Sequence, residues 1–227
     1  MKKVTIYLVL LCIVTFAQQK GSFTDPRDGK EYKTVKIGNQ VWMAENLNYN
    51  AKNSKCYDNK SENCEKYGRL YSWVTAMEVC PKGWHLPSDE EWQILVDFVG
   101  DNEAGEKLKA KSGWNEDGNG MDDYGFSALP GGYGDSENFY YSRSHGCWRS
   151  ATESDNGDVH WGMSYNLSYV VWEAFFIFIK SRDLARDLNE CNNDWSCLST
   201  LKDDDVSDVL SDSRRSEFLL SVRCLKD

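Results

Sequence analysis

The chain of 227 residues predicts an α+β fold: two helices packed on a twisted, mostly antiparallel sheet with long loops. Three observations lead there. Residues 71–96, YSWVTAMEVCPKGWHLPSDEEWQILV, read as two helices joined by a proline-marked corner. Residues 32–43 read as a hairpin. Residues 159–165, 170–179 and 218–225 carry strand patterns.

From the start, residues 1–17 read as a signal peptide. Lys2 and Lys3 are basic, 7–14 is an apolar run, and Ala17 precedes a plausible cleavage point. The run is too short to span a membrane, and Leu10 and Leu11 argue against a lipid anchor at Cys12. The expectation is an exported protein, secreted or at the cell surface, with no membrane insertion once the signal is removed. Residues 18–27 read as a short tail and 28–227 as one domain. A net charge of −10 excludes nucleic acid as a partner, because displacing its counterions takes clustered Lys and Arg.

In the hairpin, the order Gly38-Asn39 fits a type II′ turn. Residues 51–66 read as a polar loop. Trp73, Met77 and Cys80 fall on one face of the first helix, which Pro81 ends. Gly83 to Leu86 make the corner, where His85 orients the turn by hydrogen bonds. Ser88 and Glu91 form a capping box, and Trp92, Leu95, Val96 and Val99 supply the buried face of the second helix. Residues 101–111 suit a short third helix, and 126–130 (FSALP) an extended segment. Val159, Trp161, Met163 and Tyr165 alternate with polar or small residues, as in a half-buried strand. Residues 181–217, with ten acidic and five basic side chains, read as an acidic insertion; a disordered acidic loop is the equal alternative. Phe218, Leu220, Val222 and Cys224 alternate in a last strand.

Export places the cysteines in an oxidising compartment. Seven follow the signal, so at least one is left over. Proximity pairs Cys56 with Cys64 and Cys191 with Cys197. Neither spacing is a metal motif, and no His sits beside them.

The stretches TVKIGNQVWMAENLNY (34–49), YGRLYSW (67–73), CPKGWHLPSDEEW (80–92), DDYGFSALPGGY (122–133), W-x-S-x-T-E (148–153) and SVRCLKD (221–227) closely resemble the Fibrobacter succinogenes major paralogous domain family. That family in turn resembles the C-type lectin-like superfamily. The resemblance implies a C-type lectin-like fold and a bridge between Cys80 and Cys224, worth on the order of 4–5 kcal/mol for so long a loop. Cys147 is then the odd thiol.

Three histidines, His85, His145 and His160, make no evident active site, and the reading is not an enzyme. His145 and Cys147 lack a third, orienting group. An exported enzyme of the formylglycine-generating type is the alternative. Its paired active-site cysteines are not evident, and the His-x-x-x-His-x-Glu pattern of iron-dependent relatives is absent. Asp117, Asn119, Asp122 and Asp123 offer hard oxygens for calcium, a candidate cofactor but not a required one. The EF-hand order and the lectin calcium motifs are missing, and the plainer reading is an acidic turn capping the FSALP strand. The ligand candidates are Tyr133, Phe139, Tyr140, Tyr141, Arg143 and Trp148, an aromatic loop interleaved with polar groups. Aromatic faces stack on sugars while polar groups take hydroxyls. The same aromatics also suit a small core of their own under the loop. The functional expectation is a binding module for polysaccharide or a cell-surface protein; a structural surface protein is a further alternative.

Overall fold

The computed structural model describes residues 19–154, 157–168, 170–174 and 218–227. The expected signal peptide (1–17), the expected insertion (181–217), the expected Cys191–Cys197 pair and the expected continuation of the 170–179 strand lie outside the described residues.

Strands β1 (Lys20–Thr24), β2 (Glu31–Ile37) and β3 (Gln40–Met43) form an antiparallel ladder. The expected tail at 18–27 therefore contributes an edge strand. KGSFT carries no apolar alternation because the strand is largely exposed. Between β2 and β3, Gly38 is left-handed (φ 59°) and Asn39 is not, as a type II′ turn requires. The expected polar loop at 51–66 holds a 3-10 turn at Tyr57–Asn59 and a helix, α1 (Ser61–Tyr67), which turns Cys64 and Tyr67 inward. The Cys56–Cys64 disulfide is present.

Next come β4 (Leu70–Tyr71), α2 (Trp73–Val79), β5 (Trp84–His85) and α3 (Asp89–Val99). Ser72 caps α2 through the Thr75 amide. The buried face of α2 is Ala76 and Val79, and Met77 is 43% exposed. The predicted Trp73/Met77/Cys80 face fails because the helix stops at Val79 and Cys80 is already extended. On α3 the reading holds: Ser88 and Glu91 form the capping box, and Trp92, Leu95, Val96 and Val99 are buried. The corner is itself partly strand, since Trp84–His85 pairs in a sheet. A 3-10 turn at Asp101–Glu103 and the short helix α4 (Ala104–Leu108) follow.

The remaining strands are β6 (Tyr133–Gly134), β7 (Phe139–Tyr140), β8 (His145–Ser154), β9 (Gly157–Ser164), β10 (Val171–Ala174), β11 (Leu220–Ser221) and β12 (Leu225–Lys226). Instead of one sheet, the described residues form two of five strands, ordered β1-β2-β3-β12-β5 and β10-β9-β8-β11-β4, with β6-β7 as a separate hairpin. The β8–β11 pair is parallel and the other named pairs are antiparallel. The predicted last strand is therefore two short strands, one in each sheet. Residues 222–224 carry the chain across, and Ser221, Val222, Arg223 and Cys224 are all buried.

Trp92 of α3 centres the main core. Its ring lies 4.8 Å from Trp42, 6.0 Å from Trp161 and 6.3 Å from Trp148. Trp161 and Met163 face this core, but β9 is not half-exposed as its alternation suggests. His160 and Ser164, on its other face, are also buried. His160 sits opposite Arg149 in the ladder. Burial, reinforced by the Arg149 charge, pushes its imidazole down to about 3, so it is neutral in the fold. A second core gathers Tyr32, Met43, Tyr71, Val79, Leu86 and Val222. There the Cys80–Cys224 disulfide ties the end of α2 to the closing segment. Gly120 fits beside α4 only because it lacks a side chain: a Cβ would lie 2.4 Å from the carbonyls of Glu106 and Lys109.

Candidate functional site

Residues 133–145 are an ordered projection. The β6–β7 turn is an Asx turn: Asp135 Oδ1 accepts the amides of Glu137 and Asn138, and Oδ2 accepts the Tyr140 hydroxyl. Burial pushes the Asp135 carboxyl up, but these donors outweigh it and hold the group below its ordinary range. Beyond β7, Tyr141 (φ 57°) and Arg143 (φ 70°) both adopt the left-handed backbone. Such conformations cost about 1–3 kcal/mol each and persist only where the surroundings impose them. Here the surroundings are plain. The Arg143 amide donates to Pro130 O and its carbonyl accepts the Asn115 amide. The Ser144 and His145 amides donate to Tyr141 O, and the Tyr165 amide to Ser144 O.

The six predicted ligand residues divide. Tyr141 and Arg143 are exposed and Phe139 and Tyr140 half-buried. Tyr133 is 6% exposed and stacks beneath Tyr140 and Tyr141 at 5.2 and 5.9 Å between centroids. Trp148 does not join them. It is fully buried, and its Nε1 donates to Asn46 Oδ1 at 2.8 Å, so it is a core residue rather than a ligand contact. Residue type alone does not tell an inward tryptophan from an outward one.

The disulfide-closed segment buttresses this loop. Tyr57 packs on Phe139 at 5.2 Å and its hydroxyl accepts the Ser142 amide, while Lys55 Nζ donates to Ser136 O at 2.6 Å. Neither residue was anticipated; an aromatic inside a predicted disulfide loop was the only sequence signal.

The acidic cluster is dispersed. Asp122 accepts the Ser127 amide and hydroxyl, both at 2.7 Å, and Asn119 accepts the Trp114 amide. Asp117 and Asp123 are exposed. Among the described residues no three His, Cys, Asp or Glu side chains gather as for a metal. This arrangement matches the plainer reading, a turn that caps the segment leading to Ala128.

Cys147 lies outside both disulfides and is 1% exposed, in a cluster with Tyr133 and Leu220. Two residues earlier, His145 sets its ring 4.8 Å from Tyr141 and its Nδ1 3.2 Å from Ser144 Oγ. Burial lowers its pKa to about 4. His85 bridges two carboxylates, with Nδ1 2.7 Å from Asp227 and Nε2 2.9 Å from Glu91. Burial lowers its pKa, the Asp227 and Glu91 hydrogen bonds raise it, and the net shift is upward.

The sequence motifs spend their polar atoms on one another. Arg223 donates to Asn46 Oδ1 and to Phe126 O and lies over the Phe126 ring at 4.2 Å. Asn46 Nδ2 donates to Tyr67 O. Thr152 Oγ1 accepts the Asp89 amide at the start of α3, and Asp89 accepts Trp161 Nε1. The motifs at 34–49, 67–73, 80–92, 122–133, 148–153 and 221–227 thus lock into one framework.

What results is a disulfide-braced α+β domain of two five-stranded sheets bearing long, ordered loops. The chain belongs to the Fibrobacter succinogenes major domain family, whose model matches residues 35–226. Comparison with curated proteins and with solved structures gave no match.

Proposed function

We propose that the protein is an exported binding module that recognises polysaccharide, or failing that a cell-surface protein, through the 133–145 loop on a C-type lectin-like scaffold. The observation that carries this reading is the pairing of Tyr141 and Arg143. Both are exposed and both are held in costly left-handed conformations by surrounding hydrogen bonds. A loop fixed before it meets its ligand loses little entropy on binding. Tyr140 and Phe139 extend the aromatic face, and Glu137 and Asn138 supply polar groups at its rim. Two disulfides support export, and among the described residues no helix is long and apolar enough to cross a membrane. The bridge from α2 to the closing segment supports the lectin-like scaffold.

The test is retention on insoluble and soluble polysaccharides, with calcium and with EDTA, for the oxidised protein and its Tyr141→Ala and Arg143→Ala variants. The expected result is selective retention that is indifferent to EDTA and weakened at least about tenfold in either variant, the scale of a binding hot spot. Equal retention by folded variants would remove the loop from the site. Loss in EDTA would return calcium to Asp117, Asn119, Asp122 and Asp123.

A further inference from the structure

A concavity shares no lining residue with the 133–145 loop. It opens between β2, residues 44–48 and the end of α1, with a volume of about 200 Å³. Lys30, Lys33 and Lys66 line it. Among the described residues Lys33 alone of the three has a carboxylate within ion-pair distance, Glu45 at 3.7 Å. Among the described residues Lys30 and Lys66 make no ion pair; their ammonium groups lie over the rings of Tyr32 and Tyr67 at 5.9 and 4.8 Å. Glu45 and Glu65 share the lining, so the lysines are in excess by one. A further positive charge is bonded to one of the lining residues. Arg223 is fully buried and bonds Asn46, a lining residue. Among the described residues no carboxylate comes within ion-pair distance of its guanidinium. A concave, partly dry surface focuses such charge, here in a chain whose net charge is −10.

The rest of the lining is suited to hydroxyls. Asn48 gives its backbone amide to the Tyr32 hydroxyl, and its side-chain amide makes no hydrogen bond among the described residues. Glu65 is exposed and likewise uncommitted. Gly68 lets the end of α1 pack tightly on residues 46 and 47: a Cβ there would lie 2.7 Å from Asn46 Cβ and 2.8 Å from Leu47 O. The volume falls below the ~300–1,000 Å³ of drug-sized sites, which suits one charged sugar unit rather than an extended chain.

We propose that this cleft is an anion-accepting saccharide site: Lys30, Lys33 and Lys66 hold a carboxylate or sulfate group while Asn48 and Glu65 take neighbouring hydroxyls. It is separate from the aromatic loop and does not depend on that reading.

The test is calorimetric titration of the intact, disulfide-bonded protein with three probes: oligogalacturonate, a sulfated galactan oligomer and the neutral galactan oligomer. The two charged probes distinguish the source of the anion. The expected result is binding of at least one charged probe and none of the neutral one, weakening as salt rises from about 0.05 to about 0.5 M. The double variant Lys30→Gln/Lys66→Gln should lose affinity at least tenfold at unchanged melting temperature, while Lys82→Gln, an exposed lysine outside the lining, binds as the parent does. Binding of the neutral oligomer as tightly as the charged ones would overturn the proposal, and so would no binding of either charged probe. So would charged binding that survives the lysine substitutions, or preference for a poly-glutamate peptide over both charged saccharides.

Discussion

At the scale of single residues, one buried charge is held wholly by neutral partners. It is Arg223, buried among a carbonyl, an amide oxygen and an aromatic face. Replacing it with Met should cost about 2–4 kcal/mol in urea unfolding, because Asn46 Oδ1 and Phe126 O lose charged donors in a dry setting. His85 gives a pH signature. Its folded pKa is raised, so its contribution is fully present below about pH 6.5 and fades as pH climbs through the higher folded value. His145 and His160 act in the opposite sense. Their folded values lie near 4 and 3, so they hold the fold above about pH 6.5 and destabilise it as acid is added. The difference in melting temperature between the parent and His85→Gln isolates the first effect. It should be largest near pH 5.5 and shrink by pH 8. It should also be modest, because the side chain is 38% exposed and water screens its pairs. A difference that grows with pH would contradict the assignment.

At the scale of elements, α3 shows what was legible and why. Its capping box and its 92, 95, 96, 99 stripe are local patterns, and both appear as read. Ser88→Ala should cost about 1 kcal/mol. Glu91→Ala should cost more and also shrink the His85 pH signature without abolishing it, because Glu91 caps the helix and holds one side of the imidazole while Asp227 holds the other. Chemical denaturation of both variants at two pH values separates the roles. Elements without local patterns were hidden. β1 is polar because it is an edge. SENCEKY gives no apolar stripe, since α1 turns in only Cys64 and Tyr67. In 218–225 the alternation is the same whether one strand stays in a sheet or two strands serve different sheets. The candidate loop was legible as an aromatic cluster. Which rings face out was not, because that is set by Pro130, Asn115 and Tyr165, which hold the loop from distant parts of the chain.

At the scale of the whole molecule, the two disulfides among the described residues differ in reach. Cys80 and Cys224 are 144 residues apart and Cys56 and Cys64 only 8. In the chain-entropy model they contribute about 5 and about 2.5 kcal/mol. Cys80→Ala/Cys224→Ala should therefore lower the melting temperature markedly more than Cys56→Ala/Cys64→Ala. The second pair should instead weaken ligand retention, since its loop buttresses Phe139 and Ser142 through Tyr57. The reverse ranking in thermal melts would show that the long bridge spans a region already compact when unfolded. The interlocking motifs explain why family membership is plain in the sequence while the ligand is not: the recurring residues hold one another, and the exposed ones lie between them.

The placement of β12 bears on how the chain is made. It lies between β3 and β5, and β11 lies between β8 and β4. Until residues 220–226 have been synthesised, each sheet lacks the strand that joins its parts, and Arg223 has not reached Asn46. A ribosome-tethered chain stalled before residue 218 holds nearly all the core side chains yet can complete neither sheet. Closure of both sheets thus waits on this one seven-residue stretch, and whatever withholds it keeps the two halves of each sheet unjoined at the same time.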